Sequence, residues 1–219
     1  MVFTVTVVFF SRTARLVTAA NVIAEGARSV EGCRCYVFRA RDDAREEEDA
    51  ETYGDGILDC PIVTLEDIAR SDAIIVGAPT TYGRLASEMN SFFNRMATYD
   101  ADGNALKGKI GSAFTEVGAQ DSGYGGHELA LMTCVSIFLQ HGMIPVGVPR
   151  LPTLEVTPIA CVLGTTLRAS NTVDSDVVNS RVRLLNEAEV KMAYAQGEWA
   201  SLIAKQLHDD GLSDQGPAT

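Results

Sequence analysis

Basic residues are few in this chain: 18 Lys and Arg stand against 29 Asp and Glu among 219 residues, a net charge of −11. That balance repels phosphate backbones and anionic lipid at long range, which argues against nucleic acid as a partner. Histidine is scarcer still. His127, His141 and His208 have no companions at metal-ligand spacing, so no metal site is expected. The five cysteines, Cys33, Cys35, Cys60, Cys134 and Cys161, are odd in number and lack CxxC spacing, and they read as buried thiols without a disulfide. No basic region precedes the first apolar run, which is too short to span a bilayer and alternates with Thr. It reads as a strand and not as a signal peptide or a membrane insertion, and a cytoplasmic location is expected.

What the chain has is apolar substance in a repeating pattern. With 46% hydrophobic residues it can bury a full core as one domain, residues 1–208. Residues 72–83, DAIIVGAPTTYG, are the most informative stretch: an unbroken apolar run stops in a loop of Gly, Pro, Thr and Tyr. Such a run reads as a parallel strand buried on both faces, and its loop falls at the carboxyl end, where open α/β sheets hold ligands. Two other strand ends look alike. Residues 2–10 (VFTVTVVFF) run into SRTARL, and KIGSAFTEVG, residues 109–118, opens into AQDSGYGGHE, residues 119–128.

Between these runs lie helical patterns. Residues 14–29 have amphipathic spacing, 33–38 form the second strand, and Thr64 with Asp67 imitates a capping box before a helix over 65–71. The third strand is 73–77, a helix covers 87–98, the fourth strand is 110–117, a helix covers 128–140, and the fifth strand is 144–148. Asn186 caps a last helix over 187–207, with Glu189 in the box position. Strict alternation implies a doubly wound, five-stranded parallel sheet with helices on both faces, in the flavodoxin-like order 2-1-3-4-5. Two segments stand outside this plan: an acidic loop at 41–55, read as solvated, and an excursion at 149–180, read as packing on a ligand or a neighbouring subunit. Residues 209–219 read as a disordered tail.

SRTARL, DAIIVGAPTTYG, ALKGKIGSAFTEVG, QHGM at 140–143 and NEAEVKMAYAQGEWA near the end together resemble the WrbA-type NAD(P)H:quinone oxidoreductases. The last motif is the most specific, since plain flavodoxins do not share it. The resemblance implies noncovalent FMN, a homotetramer, and two-electron reduction of a quinone by NADH or NADPH. Ser11, Arg12, Thr13, Ala14, Arg15 and Leu16 would hold the phosphate through amides, hydroxyls and charge at a helix start. Pro79, Thr80, Thr81, Tyr82 and Gly83 would face the flavin ring, with Tyr82 stacking. Val117, Gly118, Ala119, Gln120, Gly123, Gly125 and Gly126 would cover its other side. By the same resemblance His141 is the catalytic group, approaching from the helix end or from a neighbouring subunit.

The chain also departs from the family. Ala14 stands where the phosphate loop usually has Gly, PTTY replaces the usual PTRF, and YDADG at 99–103 lacks a Trp and offers only Tyr99. The loop at 119–126 is longer and carries Asp121. A flavodoxin-fold scaffold or binding protein with weakened or lost FMN binding is therefore the alternative reading.

Overall fold

The computed structural model describes residues 2–42, 56–100, 105–118, 126–151, 161–168 and 184–210. Most of the acidic loop, most of the excursion, residues 101–103 of YDADG, and the tail from 211 onward lie outside the described residues. Among the described residues seven strands form one sheet: β1 (Phe3–Phe9), β2 (Cys33–Arg39), β3 (Ala73–Thr81), β4 (Arg84–Leu85), β5 (Ile110–Val117), β6 (Ile144–Pro145) and β7 (Gly164–Arg168). The helices are α1 (Ala14–Arg28), α2 (Leu65–Ala69), α3 (Ser87–Tyr99), α4 (His127–Gln140) and α5 (Glu187–Asp209).

The core order is β2-β1-β3-β5-β6, all parallel, which is the doubly wound order expected. Alternation within each strand feeds two cores. Phe3, Val5, Val7 and Phe9 of β1 join Leu16, Ile23, Ile75, Phe114 and Leu167 beneath α1 and α5. Val8, Ile74, Val76, Met89, Phe92 and Phe138 fill the opposite side beneath α3 and α4. Both capping boxes form: Asp67 N donates to Thr64 Oγ1 at 3.2 Å, and Glu189 N donates to Asn186 Oδ1 at 2.9 Å.

Two features differ from the sequence reading. First, β3 runs on through Pro79, Thr80 and Thr81 and turns back into β4, with Thr80 opposite Leu85 and Thr81 opposite Arg84. Tyr82 and Gly83 make the turn, and Pro79 sits within the strand. Second, the fifth strand position is shared by two segments. Ile144 and Pro145 pair with Ile110 and Gly111, and after the interruption Gly164–Arg168 takes up the pairing along Ala113 to Val117. Part of the 149–180 excursion is therefore an insertion inside a strand. The GTTLR segment was hidden because a strand of five residues gives too short a period to read.

The terminal motif acquires a structural meaning. A Cβ on Gly197 would stand 1.9 Å from the Ile23 carbonyl oxygen, and one on Gly26 would stand 2.0 Å from the Tyr194 carbonyl oxygen. These glycines let α1 and α5 meet backbone to backbone. Beside them the buried Gln196 amide accepts from Thr165 N at 3.0 Å and donates to Ser112 Oγ at 2.8 Å and Ala113 O at 2.6 Å. It ties α5 to β5 and β7.

Candidate functional site at the carboxyl edge of the sheet

The first loop leaves β1 and closes on itself. Ser11 is buried, and its Oγ accepts from Thr13 N at 3.0 Å and donates to Thr13 O at 3.0 Å. Thr13 caps α1 without a side-chain hydrogen bond to the helix amides, so the first-turn donors have no capping partner. Ala14 is the first residue of α1, and Tyr82 is the only non-glycine with positive φ among the described residues. The Ala14 methyl therefore strains no backbone, and positive φ gives no reason for a glycine there. Leu16 is wholly buried and serves the core.

The second loop is the hairpin between β3 and β4. Tyr82 has φ 52° and Gly83 φ 72°, so both central residues are left-handed, as a two-residue turn of the right twist requires. A bulky residue pays about 1–2 kcal/mol for that conformation. Tyr82 is 84% exposed, so little packing among the described residues offsets the strain. Such strain at an exposed aromatic points to a binding surface. Thr80 faces inward instead: Thr115 Oγ1 donates to Ala78 O at 2.7 Å, which leaves Thr80 Oγ1 to donate to Thr115 at 2.6 Å. The third loop begins at the buried Val117 and the half-buried Gly118. It returns at Gly126, where a Cβ would stand 3.0 Å from Gly83 Cα, so the second and third loops touch. Ala119, Gln120, Asp121, Gly123 and Gly125 lie outside the described residues.

Charge at the first loop differs from the expectation. Arg12 lies over the Phe10 ring at 5.2 Å and donates through Nη2 to Asp42 Oδ2 at 2.8 Å and Glu88 Oε1 at 2.7 Å. Arg15 donates through Nη2 to Glu189 Oε1 at 3.0 Å and to Arg168 O at 2.8 Å, and it also bonds the Leu184 carbonyl. Its Nε lies 3.2 Å from Glu116 Oε1, although the N–H is not aimed for a hydrogen bond. Thr13 Oγ1 donates to Glu116 Oε2 at 3.3 Å. Two guanidinium groups thus meet four carboxylates. Burial pushes the Glu116 carboxyl above its ordinary value; the Arg15 charge and the Thr13 hydrogen bond oppose this, Glu189 adds to it, and the close Arg15 N–H makes the smallest opposing contribution. The sequence reading passed over Glu116, although a charged residue inside the buried run IGSAFTEV was its signal.

His141 is not gathered into this edge. It follows α4 at the opposite end of the sheet, where Ile144 N bonds Lys109 O just before β5 begins. The eight residues of β5 put it roughly 25 Å from the loops at about 3.3 Å per residue. There its Nδ1 lies 2.7 Å from Oδ2 of the buried Asp100, whose Oδ1 accepts from Ala105 N at 2.7 Å. Asp100 belongs to the YDADG segment and was visible only as a loop acid.

The sheet order and the three carboxyl-edge loops define a flavodoxin-like protein. The chain belongs to the NADPH-dependent FMN reductase family, whose model matches residues 11–152. Two curated relatives called NAD(P)H dehydrogenase (quinone) are similar over nearly their full length. The one from Trichlorobacter lovleyi is 32% identical over 210 residues, 92% of this chain and 97% of the relative, and the one from Chromohalobacter salexigens is 33% identical over 209 residues, 93% and 98%. Among solved structures, a WrbA-like flavodoxin from Agrobacterium tumefaciens superposes with TM-score 0.64 at 17% identity, covering 93% of this chain and 98% of its own.

Proposed function

We propose that this protein is an FMN-dependent NAD(P)H:quinone oxidoreductase. The observation that carries the reading is the strained, exposed Tyr82 ring at a strand end, beside a helix start whose amides are uncapped. The residues present fit a flavin: the amides of Ala14, Arg15 and Leu16 with Ser11 and Thr13 would hold the phosphate end, and Tyr82, Gly83 and Gly126 would flank the ring. Bound FMN would accept a hydride from NADH or NADPH and deliver two electrons to a quinone. The chain orients the ring through the Tyr82 turn and keeps water from one side of it through the contact between the second and third loops.

The far placement of His141 gives it no part in the pocket of its own chain. It acts in the pocket of a neighbouring copy, where its Nε2 would face the substrate while Asp100 holds Nδ1. A homotetramer supports that arrangement, and α4 carries an outward stripe of exposed Leu129, Met132 and Leu139 suited to self-association. All five cysteines are free, which accords with a reducing, cytoplasmic location. The test is light scattering together with NAD(P)H-driven quinone reduction by His141→Ala across protein concentration. We expect a tetramer whose activity falls in the variant while FMN stays bound. A fully active monomer would refute the shared pocket.

A further inference from the structure

Three of the four carboxylates at the first loop are spoken for by direct hydrogen bonds from an arginine: Asp42 and Glu88 by Arg12, and Glu189 by Arg15. Glu116 differs. It stands at the end of β5 on the α1 and α5 side, following Ser112, which bonds Gln196, and Phe114, which packs beneath α1. Its residue neighbours in the sheet, Pro79 on β3 and Leu167 on β7, are uncharged. The groups facing it are Thr13 at the cap of α1, Arg15 from α1 and Glu189 from α5, and the first loop also carries the separate cluster of Arg12, Asp42 and Glu88. Arg15 acts on it mainly through charge, its Nε at 3.2 Å being poorly aimed, and Thr13 spends its hydroxyl proton on Glu116. The hydroxyl that a phosphate would use as a donor is thus turned toward an acceptor.

We propose that Glu116 is a specificity-determining residue of the flavin pocket, a carboxyl group that penalises a phosphate dianion at the start of α1 unless it first takes up a proton. The inference rests on the flavin reading above and adds to it a preference among flavin tails. Below the pH at which Glu116 ionises, the neutral carboxyl donates its own hydrogen bond and Thr13 is released to the phosphate. Above it, two like charges share one partly buried loop, and the phosphate end loses affinity. A flavin with an uncharged tail meets no such penalty, because a hydroxyl accepts from the neutral carboxyl and donates to the carboxylate alike. FMN binding is therefore coupled to proton uptake, and riboflavin binding is not.

Flavin fluorescence titration of the full chain freed of flavin, with FMN and with riboflavin, tests this from about pH 5 to about pH 8. The parent should lose FMN affinity with rising pH by about tenfold more than Glu116→Gln, which shares the titration of the phosphate itself. At the upper end Glu116→Gln should bind FMN about tenfold more tightly than the parent, while riboflavin affinity stays flat and equal in both proteins. The parent alone gives a second reading that needs no variant, since its preference for FMN over riboflavin should shrink as pH rises. FMN binding with parallel pH profiles in the two proteins would overturn the role of Glu116 and leave the flavin reading standing. Failure of both flavins to bind either protein at any pH would overturn the flavin reading, and this inference with it.

Discussion

Gly197→Ala separates two effects of opposite sign. In an isolated helix the change would stabilise by about 1 kcal/mol, because Ala loses less backbone freedom than Gly. Here the new Cβ would stand 1.9 Å from Ile23 O, 2.8 Å from Ile23 C and 3.0 Å from Ala27 N, all backbone atoms that cannot rotate away. Bringing the closest pair to contact distance requires α1 and α5 to part by roughly 1–1.5 Å. The small residues that let them meet, Ala19, Ala20, Ala24, Ala193 and Ala200, would then line a gap. Taking about 3 kcal/mol for overpacking between two rigid helices, the upper end of the usual range, the net loss is about 2 kcal/mol. For a chain of this size that lowers Tm by about 4–8 °C. Gly26→Ala should cost a similar amount, since its Cβ would stand 2.0 Å from Tyr194 O. The double variant should lose less than the sum, because helices parted for one Cβ have room for the other. Differential scanning calorimetry of the four proteins decides it. A Gly197→Ala protein as stable as its parent, or more so, would mean that helix propensity wins and that the close approach is wrong.

Gln196→Leu should destabilise by roughly 2–5 kcal/mol in denaturant unfolding, because Ser112 Oγ, Ala113 O and Thr165 N lose their partner inside the core. Tyr82→Asn should leave stability unchanged or raise it by up to about 1 kcal/mol, since Asn tolerates the left-handed turn, yet weaken FMN by about threefold to tenfold through loss of the ring; equal FMN affinity would remove Tyr82 from the pocket. Glu116, raised by burial, contributes stability that is present below the ordinary carboxylate range and lost as pH rises through its folded value. Glu116→Gln should therefore unfold near the parent's midpoint at about pH 4 and at higher denaturant near pH 7, and the reverse order would contradict the assignment.

Wherever a local pattern decided the outcome, the fold was legible. Capping boxes at Thr64 and Asn186 put helix starts on the right residue, and continuous apolar runs put β1, β3 and β5 in the sheet centre. The turn at Tyr82 and Gly83 was legible for the same reason, since a buried strand ends abruptly there, although β3 runs on through Pro79, Thr80 and Thr81 before it. What stayed hidden depends on pairs far apart in the chain. Nothing around Glu116 announces Thr13, 103 residues earlier, nor does QHGM announce that α4 ends at the edge opposite Tyr82. The split fifth strand escaped because two and five residues carry no period of their own. Ala14 misled for a subtler reason. A residue type suggested a backbone conformation that the start of α1 does not adopt.

The central claim is that the three carboxyl-edge loops hold a flavin that carries electrons from a nicotinamide to a quinone. The most direct measurement is quinone reduction by NADH or NADPH in flavin-free protein as FMN is added in steps. The account predicts that activity rises in proportion to bound FMN and levels off at about one flavin per chain, with quinone and nicotinamide consumed in equal amounts. Saturable FMN binding with no nicotinamide-driven quinone reduction at any protein concentration would contradict it.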